Sequence, residues 1–261
     1  MSDYVSLADY AGKMEISKGD VILVSSDVRK MMWDAVIHKD ERDLNLFIDG
    51  LIDATGPDGT VIFPTYNWNF CSGVPFDVRS TSCMTGVVGE TALKRRDFIR
   101  TWHPIYSFAV HGFFQNRLLE MKNSDSFGLD SPFAFFRENN VKNYIIDVTL
   151  QHCFTFAHFV EEQSGCVSYR YLKKFTGDYY DENGVCASRT CSMFVRNLDM
   201  DVITTIDPIE EVFVKTGVER KIFINSSEIK KIELGRAYDI LLDDIVNNRS
   251  RKLCTYKGQE D

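Results

Sequence analysis

Thr155, His158 and Glu161 stand three residues apart in the segment TFAHFVEE. On a helix, positions i−3, i and i+3 share one face, so a hydroxyl, an imidazole and a carboxylate can converge. A carboxylate that holds a histidine fixes its tautomer and raises its basicity, as a general base requires. The pattern is short and recurs by chance, and on the residues alone a satisfied structural histidine competes with this reading. The other histidines carry less. His38 lies among charges in HKDER and reads as a solvated loop residue; His111 precedes Gly112 at an element boundary. His103 precedes Pro104 in a polar, aromatic turn, and His152 follows a strand. His152 and His158 with Glu161 or Glu162 could offer metal ligands, but HExxH is absent and HxxE is common. No GxxxxGK, GxGxxG or GxSxG motif occurs, which argues against a P-loop, a standard dinucleotide site and a nucleophile elbow.

The elements that must position these groups read as α/β. Val21 to Val24 is a short buried-strand pattern between the turn Gly19-Asp20 and the polar Ser25-Ser26-Asp27. Residues 40–54 place Leu44, Phe47, Ile48, Leu51 and Ile52 at helical spacing, and the turn GPDG ends that helix. Thr60 to Phe63 is a second buried strand, stopped by Pro64, so strand, helix and strand predict parallel pairing. The loop Thr65-Tyr66-Asn67-Trp68 then leaves the carboxyl end of a strand, where open α/β sheets bind ligands. Residues 71–86 read as a long loop, 90–96 and 115–121 as helices, and Ser131-Pro132 as a helix start. Tyr144 to Val148 is a third buried strand, and a helix follows from Thr155. After Val167 the pattern turns β-rich, with a turn at Glu182-Asn183-Gly184, a strand at 221–225, a final helix near 235–246 and a loose tail. The simplest organisation is one domain over 1–261, with a core to about 166 and a β-rich C-terminal part from about 167.

The 261 residues are 44% hydrophobic and 26% charged, which excludes a disordered or low-complexity protein. A net charge of −8 argues against general binding to nucleic acid or anionic membranes. It permits a cationic small substrate without requiring one. The seven cysteines include no CxxC and read as reduced thiols. No apolar stretch approaches the ~20 residues that span a bilayer. The N-terminal segment carries acids and lacks an apolar core, so a cytoplasmic location is expected.

Six segments in order resemble the aminoglycoside 3-N-acetyltransferases: GDVILVSSDVR, GTVIFPTYNW, TGVVGETALKRR, IRTWHPIYSFAVHG, FGLDSPF and TFAHFVEE. The resemblance runs from Gly19 to at least Lys174. It implies an α/β fold with a mixed sheet and flanking helices, unlike the GNAT acetyltransferases. It implies direct acyl transfer from acetyl-CoA to an amine, without an acyl-enzyme and without a metal. The family's catalytic histidine segment maps onto Thr155, His158 and Glu161. The CoA-contacting loops map onto Ser25, Ser26, Pro64, Thr65 and Tyr66, with Lys94, Arg95, Arg96 and Arg100 as candidate phosphate partners. Glu90, His103, Tyr106 and Asp130 are the expected acceptor-side residues. Three departures surround this site. Ser25-Ser26-Asp27 stands where the family has His-Ser-Ser, Tyr106 where it has a second histidine, and Phe154 where it has Asn. They leave two acceptor classes open, an aminoglycoside and, as the alternative, a nucleotide-linked amino sugar for surface polysaccharide synthesis. A CoA- or sugar-binding protein without turnover is the alternative of another class.

Overall fold

The computed structural model describes residues 4–260. The chain runs β1 (Val21–Ser26), α1 (Arg29–Ile37), α2 (Leu44–Thr55), β2 (Thr60–Pro64), β3 (Phe76–Asp77), α3 (Val87–Leu93), β4 (Ile99–Arg100) and β5 (Phe108–Gly112). It continues with α4 (Gln115–Glu120), α5 (Pro132–Glu138), β6 (Lys142–Ile146), α6 (Leu150–Cys153), α7 (Phe156–Gln163), β7 (Arg170–Tyr180) and β8 (Cys186–Arg196). It ends with β9 (Ile203–Thr204), α8 (Glu210–Lys215), β10 (Glu219–Ile224), β11 (Ser227–Glu233), α9 (Leu234–Asn247) and β12 (Cys254–Thr255). The central sheet has the order β10-β11-β6-β1-β2-β5-β4. Strands β6, β1 and β2 are parallel. Antiparallel strands extend them on both sides.

Both faces of this sheet are covered, which is why β1 reads as an unbroken apolar run. Val21 and Leu23 join one core with Phe133, Phe136, Phe159 and Leu241 of α5, α7 and α9. Ile22 and Val24 join the other with Phe47, Ile48 and Leu51 of α2. Helix α2 starts at Leu44 rather than at Asp40, because the Asp43 carboxylate accepts from the Asn45 N–H at 2.9 Å and caps it there. Asp40 is spent elsewhere, accepting from the Tyr4 hydroxyl at 2.8 Å. Gly89 lets α3 approach the end of β2: an added Cβ would lie 2.8 Å from the Pro64 carbonyl oxygen.

The residues beyond 166 divide between two places. Hairpin β7–β8 leaves the central sheet and pairs with β3, whereas β10, β11 and α9 return to it. Strand β11 is hidden from periodicity because Lys230 and Lys231 lie side by side inside it. Burial of Lys230 is answered by Glu210 at 2.6 Å. The tail is also pinned rather than loose. Cys254 is fully buried, β12 pairs with β9, and Gln259 donates to the Arg249 and Cys254 carbonyls.

Candidate functional site

The carboxyl ends of the three parallel strands face the segment that carries His158. Strand β1 ends at Ser25-Ser26, β2 at Pro64, and β6 leads through α6 into α7. This is where an open α/β sheet leaves a crevice. Thr155 stands at the N-terminus of α7, and the His158 N–H bonds to its carbonyl at 3.0 Å.

His158 Nδ1 lies 2.6 Å from Glu161 Oε2. Glu161 is buried and receives two further groups. The Tyr169 hydroxyl donates to Oε1 at 2.9 Å, and Arg170 Nε sits 2.8 Å from Oε2 as an ion pair. Arg170 is itself held by bonds to the Phe194 carbonyl and the Thr204 hydroxyl. Burial raises the cost of charge on Glu161, but His158, Arg170 and the Tyr169 hydroxyl outweigh it and hold its carboxyl below the usual range. Burial and the Arg170 charge lower the His158 pKa, against the pull of Glu161. The ring is therefore neutral near pH 7. With Nδ1–H donated to the carboxylate, the lone pair is on Nε2. The side chain keeps 21% of its surface exposed and lines a cavity.

Two cavities share Trp68 as a wall, and His158 lines the first of them. One, of about 350 Å³, holds His158, Tyr106, Arg170, Lys173 and Arg196. The other, of about 390 Å³, holds Ser25, Ser26, Tyr66, His152 and Thr155. Tyr66 and Tyr106 stack edge to face with ring centroids 4.9 Å apart, and the Thr155 hydroxyl lies against the Tyr66 phenol. Cys153 lines the second cavity, and burial pushes its thiol up to about 12, so it stays protonated. Among the described residues, no three His, Cys, Asp or Glu side chains cluster as metal ligands would.

Several residues singled out from the sequence sit elsewhere. Thr65 is fully buried, its hydroxyl 3.0 Å from that of Ser107. Arg96 is exposed and lines neither cavity. Arg95 pairs with Asp49 and Asp97, and Lys94 lies 3.9 Å from Glu90. Arg100 is an internal strut: it donates to Ser107 and to the Thr65 and Thr81 carbonyls. Glu90 accepts from the Cys83 N–H at 2.8 Å and lines a third cavity, of about 450 Å³, with Arg100 and Glu182. Asp130 is exposed and lines none of the three. Neither acid is brought to His158. His103 is buried, and burial pushes its pKa down to about 3. Its neutral Nδ1 accepts from the Ile105 and Tyr106 N–H groups, which holds Tyr106 against the site. Tyr169 and Arg170 belong to the site without any motif marking them, and Trp68, in the loop that follows β2, joins them there.

Glu162, next to Glu161, is half-buried beside Asp125, and burial followed by that neighbour pushes its carboxyl up to about 8. A raised carboxyl favours the folded state below the unfolded pKa and loses that advantage as pH rises through about 8. Glu162→Gln is therefore expected to raise Tm at pH 9, on the order of a few degrees, while changing it little at pH 5. Thermal melts at both pH values measure this, and an equal shift at the two would contradict it.

The profile of the aminoglycoside 3-N-acetyltransferase family matches residues 23–243. No curated protein sequence matches the chain. Among solved structures, YokD from Bacillus subtilis superposes with a TM-score of 0.77 at 16% identity, over 96% of this chain and 97% of that one. AAC-IIIb, solved as a binary with CoASH, gives 0.76 at 16% identity over 94% and 98% of the two chains. Sisomicin-bound AAC-VIa gives 0.76 at 15% identity over 94% and 99%. At these identities the structures establish the shared fold, a mixed sheet with flanking helices.

Proposed function

The chain belongs to the aminoglycoside 3-N-acetyltransferase family and is an acyltransferase; from that premise we propose that it moves an acetyl group from acetyl-CoA to an amino group of a small acceptor of the amino-sugar class. The observation that carries this reading is the neutral His158, held by Glu161, opening on one cavity beside another rimmed by Ser25, Ser26 and Thr155. The second cavity suits a pantetheine arm, with hydroxyls for its amides and Pro64, Tyr66 and Trp68 for its methylenes. When bound, acetyl-CoA supplies the acyl group as a thioester. Solved relatives in complex with CoASH and with sisomicin support these two ligand classes.

An alkylammonium has no lone pair, so a proton must leave before it can attack. His158 Nε2 accepts that proton, and Glu161 stabilises the imidazolium that forms. The Thr155 hydroxyl, at the start of α7, offers a hydrogen bond to an oxygen that gains charge. The two cavities orient the amine and the acyl group toward each other. Direct transfer fits these walls in one respect: Cys153, the cysteine on them, is held as a protonated thiol. A thiol-release assay with acetyl-CoA, run across kanamycin-type antibiotics and several amino sugars, tests the reading. Release with at least one amine is expected. CoA binding without release for any of them would instead favour a binding protein without turnover.

A further inference from the structure

The Glu161 carboxylate is held from both oxygens. Oε2 serves His158 and Arg170, and Oε1 serves the Tyr169 hydroxyl. The terminal torsion of a glutamate side chain is broad, so no rotamer well fixes the plane of the carboxylate. The bond to Oε1 sets that plane, and with it the direction of Oε2 toward His158 Nδ1. Tyr169 is 1% exposed, and its ring lies outside the two cores that flank the central sheet. It joins Val202 and Cys254 in a small third cluster, with Met200 and Tyr256 against it. The Tyr256 ring stacks on it, centroids 4.6 Å apart and planes 29° from parallel. Cys254 and Tyr256 belong to a segment that the fold pins at several points. Strand β12 pairs with β9, the Thr205 N–H donates to the Leu253 carbonyl at 2.9 Å, and the Lys257 N–H donates to the Met200 carbonyl at 2.8 Å. The same segment reaches Arg170: Thr204, whose hydroxyl accepts from Arg170 at 3.2 Å, is the β-ladder partner of Cys254. Both groups behind Glu161 therefore rest on residues 253–257.

We propose that Tyr169 is a positioning residue for the His158–Glu161 pair, and that the 253–257 segment holds Tyr169 in place through the Tyr256 ring. The assignment rests on the reading of His158 as the base. The stacked ring fixes where the hydroxyl sits, the hydroxyl fixes the carboxylate, and the carboxylate fixes the imidazole. The hydroxyl also takes up part of the carboxylate charge. Without it the carboxylate draws a proton onto His158 more strongly, so the imidazole becomes more basic. The other charged or titratable groups that share the His158 cavity, Tyr106, Arg170, Lys173 and Arg196, stay as they are when this hydroxyl is removed.

Tyr169→Phe keeps the ring and removes only the hydroxyl. Its kcat is expected to fall roughly 10- to 100-fold, the range for one hydrogen bond to a charged group, while KM for acetyl-CoA stays within about twofold. The acidic limb of kcat/KM should move to higher pH. Tyr256→Ala, at a partly exposed position, should lower kcat and move the limb the same way to a smaller extent, and Tyr256→Phe should restore both. In the Tyr169→Phe background Tyr256→Ala should add little, because the hydroxyl through which it acts is gone. A merely structural role would lower Tm in Tyr256→Ala and leave the limb where it was. Melts establish that each variant is folded; should Tyr169→Phe not be, the Tyr256→Ala and Tyr256→Phe pair decides alone. Wild-type kcat with an unmoved limb in Tyr169→Phe overturns the proposal, and a fully additive loss in the double variant overturns the part given to Tyr256. An NMR titration of the His158 ring, assigned by its loss in His158→Asn, reads the same coupling without turnover. Its midpoint should rise in Tyr169→Phe, and a midpoint equal to that of the wild type also overturns the proposal. If that midpoint rises but no amine releases thiol from acetyl-CoA, the acyl-transfer reading fails and the positioning contact stands.

Discussion

His158→Asn is expected to lower kcat by roughly 10²–10⁴-fold, the contribution of a positioned general base. CoA affinity should stay within about twofold, because His158 lines the cavity proposed for the acceptor and not the one rimmed by Ser25 and Ser26. The asparagine keeps a polar group near Glu161 without a titrating base, so the loss is chemical and not a collapse of the dyad. The pH profile gives an independent check. Burial and the Arg170 charge hold the imidazole below the ordinary histidine value. With His158 as the proposed base its neutral form is the active one, so the acidic limb of kcat/KM should fall on the acid side of pH 6.5, the ordinary value for histidine. In His158→Asn that limb should vanish. Turnover like the wild type in the variant would remove His158 from the reaction.

Glu161→Ala is expected to cost about 3–5 kcal/mol of folding stability, as removal of one partner from a buried pair does. The carboxylate anchors three groups at once, His158, Tyr169 and Arg170, and its loss leaves a buried guanidinium and a buried hydroxyl without their partner. For a chain of this size the melting temperature should fall on the order of 10 °C. A double substitution, Glu161→Leu with Arg170→Met, removes both charges and should recover much of that stability. It should not recover the rate, since His158 remains without its orienting acid. Recovery of both stability and rate would reduce Glu161 to a structural partner. The same carboxyl also sets an acid limit. Its pKa is depressed in the folded state, so the stability it contributes is present above the ordinary Glu value and lost as pH falls through the folded one.

The sequence revealed the parts of the molecule that are local. β1 and β2 are apolar runs between turn residues, and Thr155, His158 and Glu161 are linked by helical geometry alone; β6 starts two residues before the expected Tyr144, because Lys142 and Asn143 pair with β1 although they are polar. The Asp43 cap moved the start of α2 by four residues, because a side-chain bond, and not hydrophobic period, decides where a helix begins. β11 escaped because its two adjacent lysines break alternation, and the group that answers Lys230 is twenty residues away in Glu210. The same holds at the site. Arg170 reaches Glu161 only because the chain turns after α7 and enters β7 in one particular register, which no short pattern encodes. Glu90 and Arg100 looked like ligand-binding charges from their types. The fold spends them on backbone groups of the 81–83 loop, and for Arg100, which is buried, those carbonyls are the partners a guanidinium must find away from water.

The hairpin β7–β8 also bears on how such an enzyme can diversify. Strands β1, β2 and β6 and helix α7 hold the dyad and the hydroxyl-rimmed cavity inside a core packed on two sides, where most substitutions carry a heavy stability penalty. The hairpin lies outside that sheet, and Lys173 and Arg196 project from solvent-exposed positions on it. Substitutions at such exposed positions usually cost within about 0.5 kcal/mol. The wall that the hairpin gives to the His158 cavity can therefore change one residue at a time while the sheet and helix that hold the dyad stay as they are.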